Sequence, residues 1–169
     1  RELHHQLTDS GATILVTVPA FLATAREGAE GTGVTLIAVI GSAEGVPSVT
    51  DLEGTPIPAQ VPVDLATHIA VLPYSSGTTG LPKGVMLTHP NLIANVAQFI
   101  DLMDLGPADR TLSILPFFHI YGLQVIMNAY LVCGGSQTTL PRFDLETVLR
   151  ILSEEKIGCF FVAPPLVLA

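Results

Sequence analysis

Apolar runs and amphipathic stretches alternate along the chain, and their spacing predicts alternating strands and helices. Residues 13–18 and 34–40 are short and rich in β-branched side chains, which is typical of buried strands. Residues 19–30 between them place apolar side chains at helical spacing and lead to two glycines. Residues 1–10 are predicted to form a helix that ends at Gly11, because glycine commonly follows the last helical turn.

The alternation continues in the second half of the chain. Thr88 precedes a stripe of apolar residues with helical spacing and is a candidate N-cap, as is Asp144 further on. The predicted helices are residues 91–105, 120–133 and 145–156, and the predicted strands are residues 111–115, 137–140 and 159–162. Strands that alternate with helices favour βαβ units. We therefore expect an α/β fold with a mostly parallel sheet flanked by helices.

The middle of the chain has a different composition. Four prolines interrupt residues 41–64, which predicts a long, loop-rich surface connection. On either side, residues 1–40 and 89–169 are predicted to form αβ units. Residues 69–88 are predicted to form a strand, a long loop and a second strand. We interpret the whole chain as a single fragment of one domain.

Composition narrows the function classes. The 169 residues suffice for one domain with a sizeable core. The net charge is −8 and no basic cluster occurs, which argues against a nucleic-acid partner. No run of about 18 apolar residues occurs, so no membrane-spanning helix is predicted. Cys133 and Cys159 stand alone among apolar residues, which predicts reduced thiols in a cytoplasmic protein rather than a disulfide or a metal site.

The most informative stretch is residues 74–85, which read Tyr-Ser-Ser-Gly-Thr-Thr-Gly-Leu-Pro-Lys-Gly-Val. Glycines let backbone N–H groups turn inward, hydroxyls add donors, and Lys83 adds a mobile positive charge, so phosphate is the favoured ligand. The alternative is a plain surface turn, which needs only about two to five residues. The order of residues departs from the Walker pattern, because neither serine nor threonine follows the lysine. A P-loop NTPase is therefore disfavoured.

A second candidate region follows the strand predicted at residues 111–115. Ligands of open α/β sheets bind beyond the carboxyl ends of the strands, and His119 and Tyr121 lie there among aromatic residues. The alternative interpretation is a packed histidine bonded to the backbone, next to an interface tyrosine. The donor-rich loop upstream favours a shared binding site over that alternative.

Together the two stretches resemble motifs of the ATP-dependent adenylate-forming superfamily, which includes acyl- and aryl-CoA ligases, luciferase and peptide-synthetase adenylation domains. Residues 74–85 match the glycine-rich phosphate loop of that family at every defining position. Residues 115–122, Leu-Pro-Phe-Phe-His-Ile-Tyr-Gly, resemble the next motif in the form associated with 4-coumarate:CoA ligases. The resemblance implies part of the large N-terminal domain of such an enzyme. The later motifs and the C-terminal domain are expected beyond Ala169.

The resemblance also implies roles for individual residues. Lys83 and His119 are the expected catalytic residues, and His119 would lie beside the substrate carboxylate. Tyr121 would line the acyl pocket, and Arg142 falls where the ligases carry a lysine near the phosphates of coenzyme A. The hydroxyl of Thr79 would lie near the magnesium ion. The residues expected to hold the phosphates of ATP are Ser75, Ser76, Gly77, Thr78, Thr79, Gly80 and Lys83.

The implied reaction is ATP-dependent activation of a carboxylic acid as an acyl-adenylate, followed by thioester formation with coenzyme A. Acids similar to 4-coumarate are the favoured substrates, and fatty acids or small carboxylates are the alternative. The expected ligands are the acid, ATP, Mg²⁺ and coenzyme A, and the expected protein partner is the remainder of the same chain. A non-catalytic binding or folding module is a third hypothesis, and the fragment alone is expected to be inactive.

Overall fold

The computed structural model describes residues 1–75 and 81–167, and the chain divides into two compact units. The first unit comprises Arg1–Asp64 and Ile69–Met86. The second comprises Leu65–His68 and Leu87–Ala169.

The first unit begins with a helix and a parallel pair of strands. Its elements are α1 (Glu2–Ser10), β1 (Ile14–Thr17), a 3₁₀ turn (Pro19–Phe21), α2 (Leu22–Ala29) and β2 (Leu36–Val39). Ile14 lies opposite Leu36 and Thr17 opposite Val39, so β1, α2 and β2 form the predicted βαβ unit. Helix α1 ends at Gly11 as predicted, because this glycine adopts the left-handed conformation with φ of 63°.

The core of the first unit lies beneath its two helices. Ala38 and Val39 of β2 are fully buried, and Leu7 of α1 is nearly so. Helices α1 and α2 approach closely at Gly28, where an added Cβ atom would lie 2.6 Å from the Cδ2 atom of Leu3. A larger residue at this position would force the helices apart. Helix α1 is therefore packed firmly onto the βαβ unit.

The rest of the first unit is loop-rich, as the prolines predict. One 3₁₀ turn, Val49–Leu52, is capped by Ser48, and three very short strands follow. These strands are β3 (Ile69–Val71), β4 (Tyr74–Ser75) and β5 (Lys83–Gly84). The single strand predicted for the end of this region is wrong in extent. It is divided into β5 and, in the second unit, β6 (Leu87–Thr88).

The second unit continues with helix α3 (His89–Met103). The predicted N-cap is confirmed, because the backbone N–H and the hydroxyl of Thr88 both donate to the side-chain oxygen of Asn91. The helix ends earlier than the following Gly-Pro pair predicts. Asp104 adopts the left-handed conformation with φ of 51° and terminates the helix there.

A parallel strand pair and the helical segment that joins it form the centre of the second unit. Strand β7 (Arg110–Ser113) pairs with β8 (Ser136–Thr139), with Ser113 opposite Thr139. Between them, a π-helical stretch, Gly122–Asn128, runs directly into α4 (Ala129–Cys133). The predicted helix is thus confirmed, but the π geometry of its first half was not predicted. The parallel pairs of the two units confirm the predicted α/β fold.

The end of the second unit packs against β7. Helix α5 (Leu145–Glu154) begins at the predicted cap Asp144, and a short helix α6 (Pro164–Val167) follows later. Leu112, Val148 and Ile151 form the buried core between β7 and α5. The strand predicted at residues 159–162 is wrong, because only Cys159 bridges to β7 and the next residues form no ladder within the described ranges. No helix within residues 1–75 and 81–167 has the length and hydropathy of a membrane span.

Candidate active site

The described ends of the predicted phosphate loop form a two-stranded ribbon. Strands β4 and β5 pair antiparallel, with Tyr74 opposite Gly84 and Ser75 opposite Lys83. The N–H group of Val85 extends the ladder by donating to the carbonyl oxygen of Pro73 at 2.9 Å. Directly opposed residues in a ladder share a face, so the hydroxyl of Ser75 and the ammonium group of Lys83 lie on one side of the ribbon. The loop leads into a strand rather than a helix, as predicted.

Both donors at the base of the loop are available to a ligand. Ser75 and Lys83 are exposed, and neither side chain has a hydrogen bond or ion pair within residues 1–75 and 81–167. The other predicted phosphate contacts, and the predicted magnesium contact at Thr79, lie outside the described residues. Those omitted positions are Ser76, Gly77, Thr78, Thr79 and Gly80. Their roles stay predictions.

Helix α1 contacts both arms of this ribbon. The hydroxyl of Tyr74 donates to the carboxylate of Asp9 at 2.6 Å and lies 3.4 Å from the carbonyl oxygen of Gln6. On the other arm, the Nε2 atom of His5 lies 3.0 Å from the carbonyl oxygen of Pro82. The hydrogen bond to Asp9 raises the pKa of Tyr74 above its usual value, so the phenol stays protonated and donates at neutral pH.

The close contact of Tyr74 with the opposite strand explains the glycine at position 84. A Cβ atom there would lie 3.1 Å from the Cζ atom of Tyr74 and 3.1 Å from the Cγ atom of Leu72. Both neighbours would have to shift to accommodate it. Beside this contact, a pocket of about 410 Å³ is lined by His5, Asp9 and residues 81–84.

His119 lies in a tight turn after β7. Its N–H group donates to the carbonyl oxygen of Pro116 at 3.1 Å, and its Nδ1 atom accepts the N–H group of Tyr121 at 3.2 Å. An accepting Nδ1 atom carries no proton, so the neutral imidazole has its proton on Nε2. The side chain is exposed. His119 therefore presents an N–H donor beyond the carboxyl end of a strand, where ligands of α/β sheets bind.

This turn requires glycine at position 122. A Cβ atom at Gly122 would lie 2.3 Å from the carbonyl oxygen of Pro116, the same oxygen that accepts the N–H group of His119. Such a contact is far inside van der Waals distance. The close approach of the π-helical segment to the turn thus fixes the backbone that carries His119.

Tyr121 belongs to an aromatic cluster. Its ring lies edge-on to Phe161 with the ring centroids 6.5 Å apart, and Phe161 also contacts Phe99 and Tyr130 at 5.6 and 6.4 Å. Tyr121 is half-buried by these contacts. The arrangement fits the interpretation as a packed aromatic residue, and the role in an acyl pocket stays a prediction.

Arg142 follows strand β8 at the same edge of the sheet at which His119 follows strand β7. Strands β7 and β8 are parallel, so the segments that carry these two residues both follow the carboxyl ends of their strands. A pocket of about 320 Å³ at this edge is lined by residues 113–117 and 139–141. Arg142 is exposed and makes no hydrogen bond or ion pair with the part of the chain that is described. Its guanidinium group is available to an anion.

A buried amide pair in the π-helical stretch was not predicted from the sequence. Gln124 is 4% exposed, and its Nε2 atom donates to the carbonyl oxygen of Leu92 in α3 at 3.0 Å. The side-chain nitrogen of Asn128 donates to the Oε1 atom of Gln124. The first bond joins α3 to the helical segment and the second lies within that segment, beside a largely apolar pocket of about 210 Å³. Two amides four residues apart in an otherwise apolar helix were the available signal.

The thiols and acidic residues form no metal site among the described positions. Cys133 and Cys159 form no disulfide within the described ranges, and burial raises the pKa of the Cys159 thiol. Within residues 1–75 and 81–167, no three His, Cys, Asp or Glu side chains are grouped to hold a metal ion. The magnesium contact predicted at Thr79 lies outside these residues and stays a prediction.

Comparison with known proteins identifies relatives along the whole chain. The profile of the family described as AMP-binding enzyme matches residues 1–169. 4-Coumarate–CoA ligase 5 from Oryza sativa subsp. japonica is 39% identical over 173 residues, which cover 98% of this chain and 31% of that protein. This chain therefore spans about a third of the length of that relative.

Two solved structures share the fold closely. A long-chain-fatty-acid–CoA ligase (FadD1) from Archaeoglobus fulgidus matches with a TM-score of 0.83 and 31% identity, covering 96% of this chain and 32% of that one. ATP-bound MatB from Rhodopseudomonas palustris matches with a TM-score of 0.75 and 32% identity, covering 90% of this chain and 30% of that one.

Proposed function

Because the chain belongs to the AMP-binding enzyme family, we propose that it is part of an ATP-dependent acid–thiol ligase. The full-length enzyme activates a carboxylic acid as an acyl-adenylate and then transfers the acyl group to the thiol of coenzyme A. The observation that carries this proposal is the ribbon at the base of the loop. It holds the hydroxyl of Ser75 and the ammonium group of Lys83 on one face, exposed and without partners in the described ranges.

In the first step, a carboxylate oxygen attacks the α-phosphorus of ATP. The bond from that phosphorus to its bridging oxygen breaks, and pyrophosphate leaves with the additional negative charge. Lys83 and the loop hydroxyls neutralise that charge as it develops, which is the electrostatic form of catalysis. The protein supplies positioning and charge, and no side chain forms a covalent bond.

His119 orients the acid in this proposal. Its Nε2–H group is free to donate to a carboxylate oxygen, because Nδ1 is occupied by the N–H group of Tyr121. A carboxylic acid has a pKa of about 4 and is already ionised at neutral pH, so the reaction needs no general base. The histidine therefore fixes the geometry of attack rather than removing a proton.

Magnesium and coenzyme A are each proposed to contact one residue of this chain. Mg²⁺ prefers oxygen ligands and is usually held by substrate phosphates with one or two carboxylates. We infer that it enters with ATP, and that the Thr79 hydroxyl is the contact from this chain. Arg142 is exposed and unpaired within the described ranges, and it is the proposed contact for the phosphates of coenzyme A. Its planar guanidinium group suits bidentate phosphate binding.

The proposed substrate is an aryl acid similar to 4-coumarate. The identity of 39% to a protein named 4-coumarate–CoA ligase supports it, as does the His-Ile-Tyr sequence at residues 119–121. A fatty acid is the second candidate, supported by the match to a structure named long-chain-fatty-acid–CoA ligase. Initial rates of the full-length enzyme with 4-coumarate, octanoate and malonate distinguish them. A rate with octanoate that exceeds the rate with 4-coumarate would replace the first candidate by the second.

Exchange of labelled pyrophosphate into ATP tests the loop assignment. The Lys83→Ala variant of the full-length enzyme should lose about 100-fold or more in exchange rate, the usual cost of removing one donor to a developing charge. Lys156→Asn is the matched control, because it removes the same charge from an exposed position whose φ of 52° asparagine tolerates. Equal exchange rates in the two variants would refute the proposed role of Lys83.

A further inference from the structure

We propose that helix α1 positions the phosphate loop, with His5 and Asp9 as positioning residues that act through the two arms of the ribbon. The inference rests on the proposed function, because the loop is taken to bind the phosphates of ATP. Neither residue contacts substrate in this proposal. His5 holds the backbone of Pro82, and Asp9 holds the ring hydroxyl of Tyr74.

Each of the two contacts lies next in the chain to a proposed phosphate donor. Tyr74 immediately precedes Ser75, and Pro82 immediately precedes Lys83. Each residue that α1 holds is thus the neighbour of a proposed phosphate donor. A shift of either anchored residue would move the adjacent donor with it, because consecutive Cα atoms are joined at a fixed distance of about 3.8 Å.

The ribbon needs an anchor of this kind. Its strands contain two residues each, and a lone two-stranded hairpin is at best marginally stable in water. The bond from the phenol of Tyr74 to the ionised carboxylate of Asp9 is charge-assisted, and such bonds are about twice as strong as neutral ones. A second bond on the other arm prevents the ribbon from pivoting about the first.

Helix α1 is itself firmly held, so it is a suitable reference for the loop. Leu7 is buried, and Leu3 packs tightly against Gly28 of α2. The neighbouring histidine, His4, points its Nδ1 atom at the carbonyl oxygen of Gly28, 3.3 Å away, rather than at the loop. Two adjacent histidines on one helix therefore contact different elements. This makes His4 a control for His5.

Anchoring should affect only the half-reaction that uses the loop. A loop that is held in place before ATP arrives loses less conformational freedom on binding. The affinity for ATP and the rate of adenylate formation should therefore both be higher. Thioester formation from a preformed acyl-adenylate involves no pyrophosphate. It does not need the loop donors, and it is the internal reference for the experiment.

The test uses four variants of the full-length enzyme: His5→Ala, His5→Gln, Tyr74→Phe and His4→Ala. Pyrophosphate exchange is measured against MgATP concentration, and thioester formation is measured from a synthetic acyl-adenylate. His5→Ala should reduce exchange, as kcat/KM for MgATP, about three- to tenfold, which corresponds to the loss of one ordinary hydrogen bond. Tyr74→Phe removes a charge-assisted bond and should reduce exchange about tenfold or more. Thioester formation should be unchanged. His5→Gln should recover part of the loss, because its amide N–H group can donate to the same carbonyl oxygen.

A readout independent of activity is hydrogen exchange of the Val85 amide, which donates across the ribbon to Pro73. This amide should exchange about three- to tenfold faster in His5→Ala than in His4→Ala. Equal protection in these two variants overturns the inference, as does an equal loss in both half-reactions. A wild-type enzyme without pyrophosphate exchange on any acid refutes the proposed function instead, and the Val85 amide then decides whether α1 holds the ribbon.

Discussion

Replacing Gly122 by alanine should disrupt the turn that carries His119. The added Cβ atom would lie 2.3 Å from the carbonyl oxygen of Pro116 and 2.8 Å from its carbonyl carbon. Carbon and oxygen atoms approach in proteins to about 3.3 Å, so the carbonyl group or the helical segment must move by about 1 Å. Both belong to backbone and cannot rotate away as a flexible side chain does.

The cost of this movement follows from the contacts that it strains. Overpacking of a well-packed site costs about 1–3 kcal/mol, and the hydrogen bond from the His119 N–H group to Pro116 adds about 1 kcal/mol if it is lost. We expect Gly122→Ala to lower the free energy of unfolding by about 2–4 kcal/mol. A displacement of about 1 Å at a positioning group costs about 100-fold in rate, and His119 moves with this turn.

Urea unfolding and pyrophosphate exchange of the full-length protein check this prediction. Gly158→Ala is the control in the same unit, since its Cβ atom would lie 3.8 Å from the Oδ1 atom of Asp109, an ordinary contact. It should change stability by less than about 0.5 kcal/mol. If Gly122→Ala unfolds at the same urea concentration as the control and retains its activity, the inferred clash with Pro116 is wrong.

Two further predictions concern the pH dependence of stability. Burial raises the pKa of Tyr130 to about 12, whereas the pKa of tyrosine in an unfolded chain is about 10. The free energy of unfolding should therefore be highest below pH 10 and should decline as the pH rises towards 12. In urea unfolding, Tyr130→Phe should abolish that alkaline decline. It should not lower the free energy of unfolding at pH 7, because the buried hydroxyl has no hydrogen-bond partner within the described ranges. A clear loss of stability at pH 7 would contradict this. The side-chain and backbone groups of Thr147 lower the pKa of Asp144, so its stabilisation of α5 is present above about pH 4 and is lost as the pH falls through the lower folded value. Asp144→Ala should therefore speed amide exchange in α5 more at pH 7 than in acid, where the protonated carboxyl group still accepts the Thr147 N–H group but only as a neutral cap. Asp144→Asn keeps a neutral cap under both conditions. An Asp144→Ala effect of equal size at pH 7 and in acid would contradict this.

Local sequence signals predicted the parts of the fold that depend on local geometry. Gly11 ends α1 because glycine adopts a positive φ without steric cost. Thr88 begins α3 because its side chain and that of Asn91 satisfy groups at the helix start. Hydrophobic spacing located the strands of both parallel pairs to within two residues at each end. The family resemblance, which rested on two short strings, is confirmed across the whole chain.

Three features of the second unit escaped prediction. Helix α3 ends at Asp104 rather than at the next glycine, because aspartate also adopts the left-handed conformation. The π-helical geometry of Gly122–Asn128 has no simple sequence signature, and the polar contact that Gln124 makes with α3 was not predicted. The predicted strand at residues 159–162 failed because β-branched and aromatic side chains favour a strand only where a neighbouring strand offers a ladder.

The candidate site also combines features that the sequence predicted with contacts that it did not. Residue type and order predicted Ser75 and Lys83 as phosphate donors, and the family resemblance predicted His119 beside the substrate carboxylate. These roles stay predictions. The sequence contained no indication that α1 holds the loop, since the hydrogen bond from Tyr74 joins residues 65 positions apart. It also left the histidine tautomer open. The tautomer follows from one backbone contact, the N–H group of Tyr121 on Nδ1.

The order of residues at the two ends of the 74–85 segment gives the ribbon two different faces. Side chains alternate between the two faces of a ribbon, so Tyr74 and Gly84 share one face while Ser75 and Lys83 share the other. The first face packs against the rest of the unit, because the Tyr74 hydroxyl bonds to Asp9 and the ring of Tyr74 lies close to Gly84. The second presents donors. A turn selected only for flexibility would need neither a tyrosine with a carboxylate partner nor a glycine within a strand, so this pattern favours a ligand-binding loop over a plain turn.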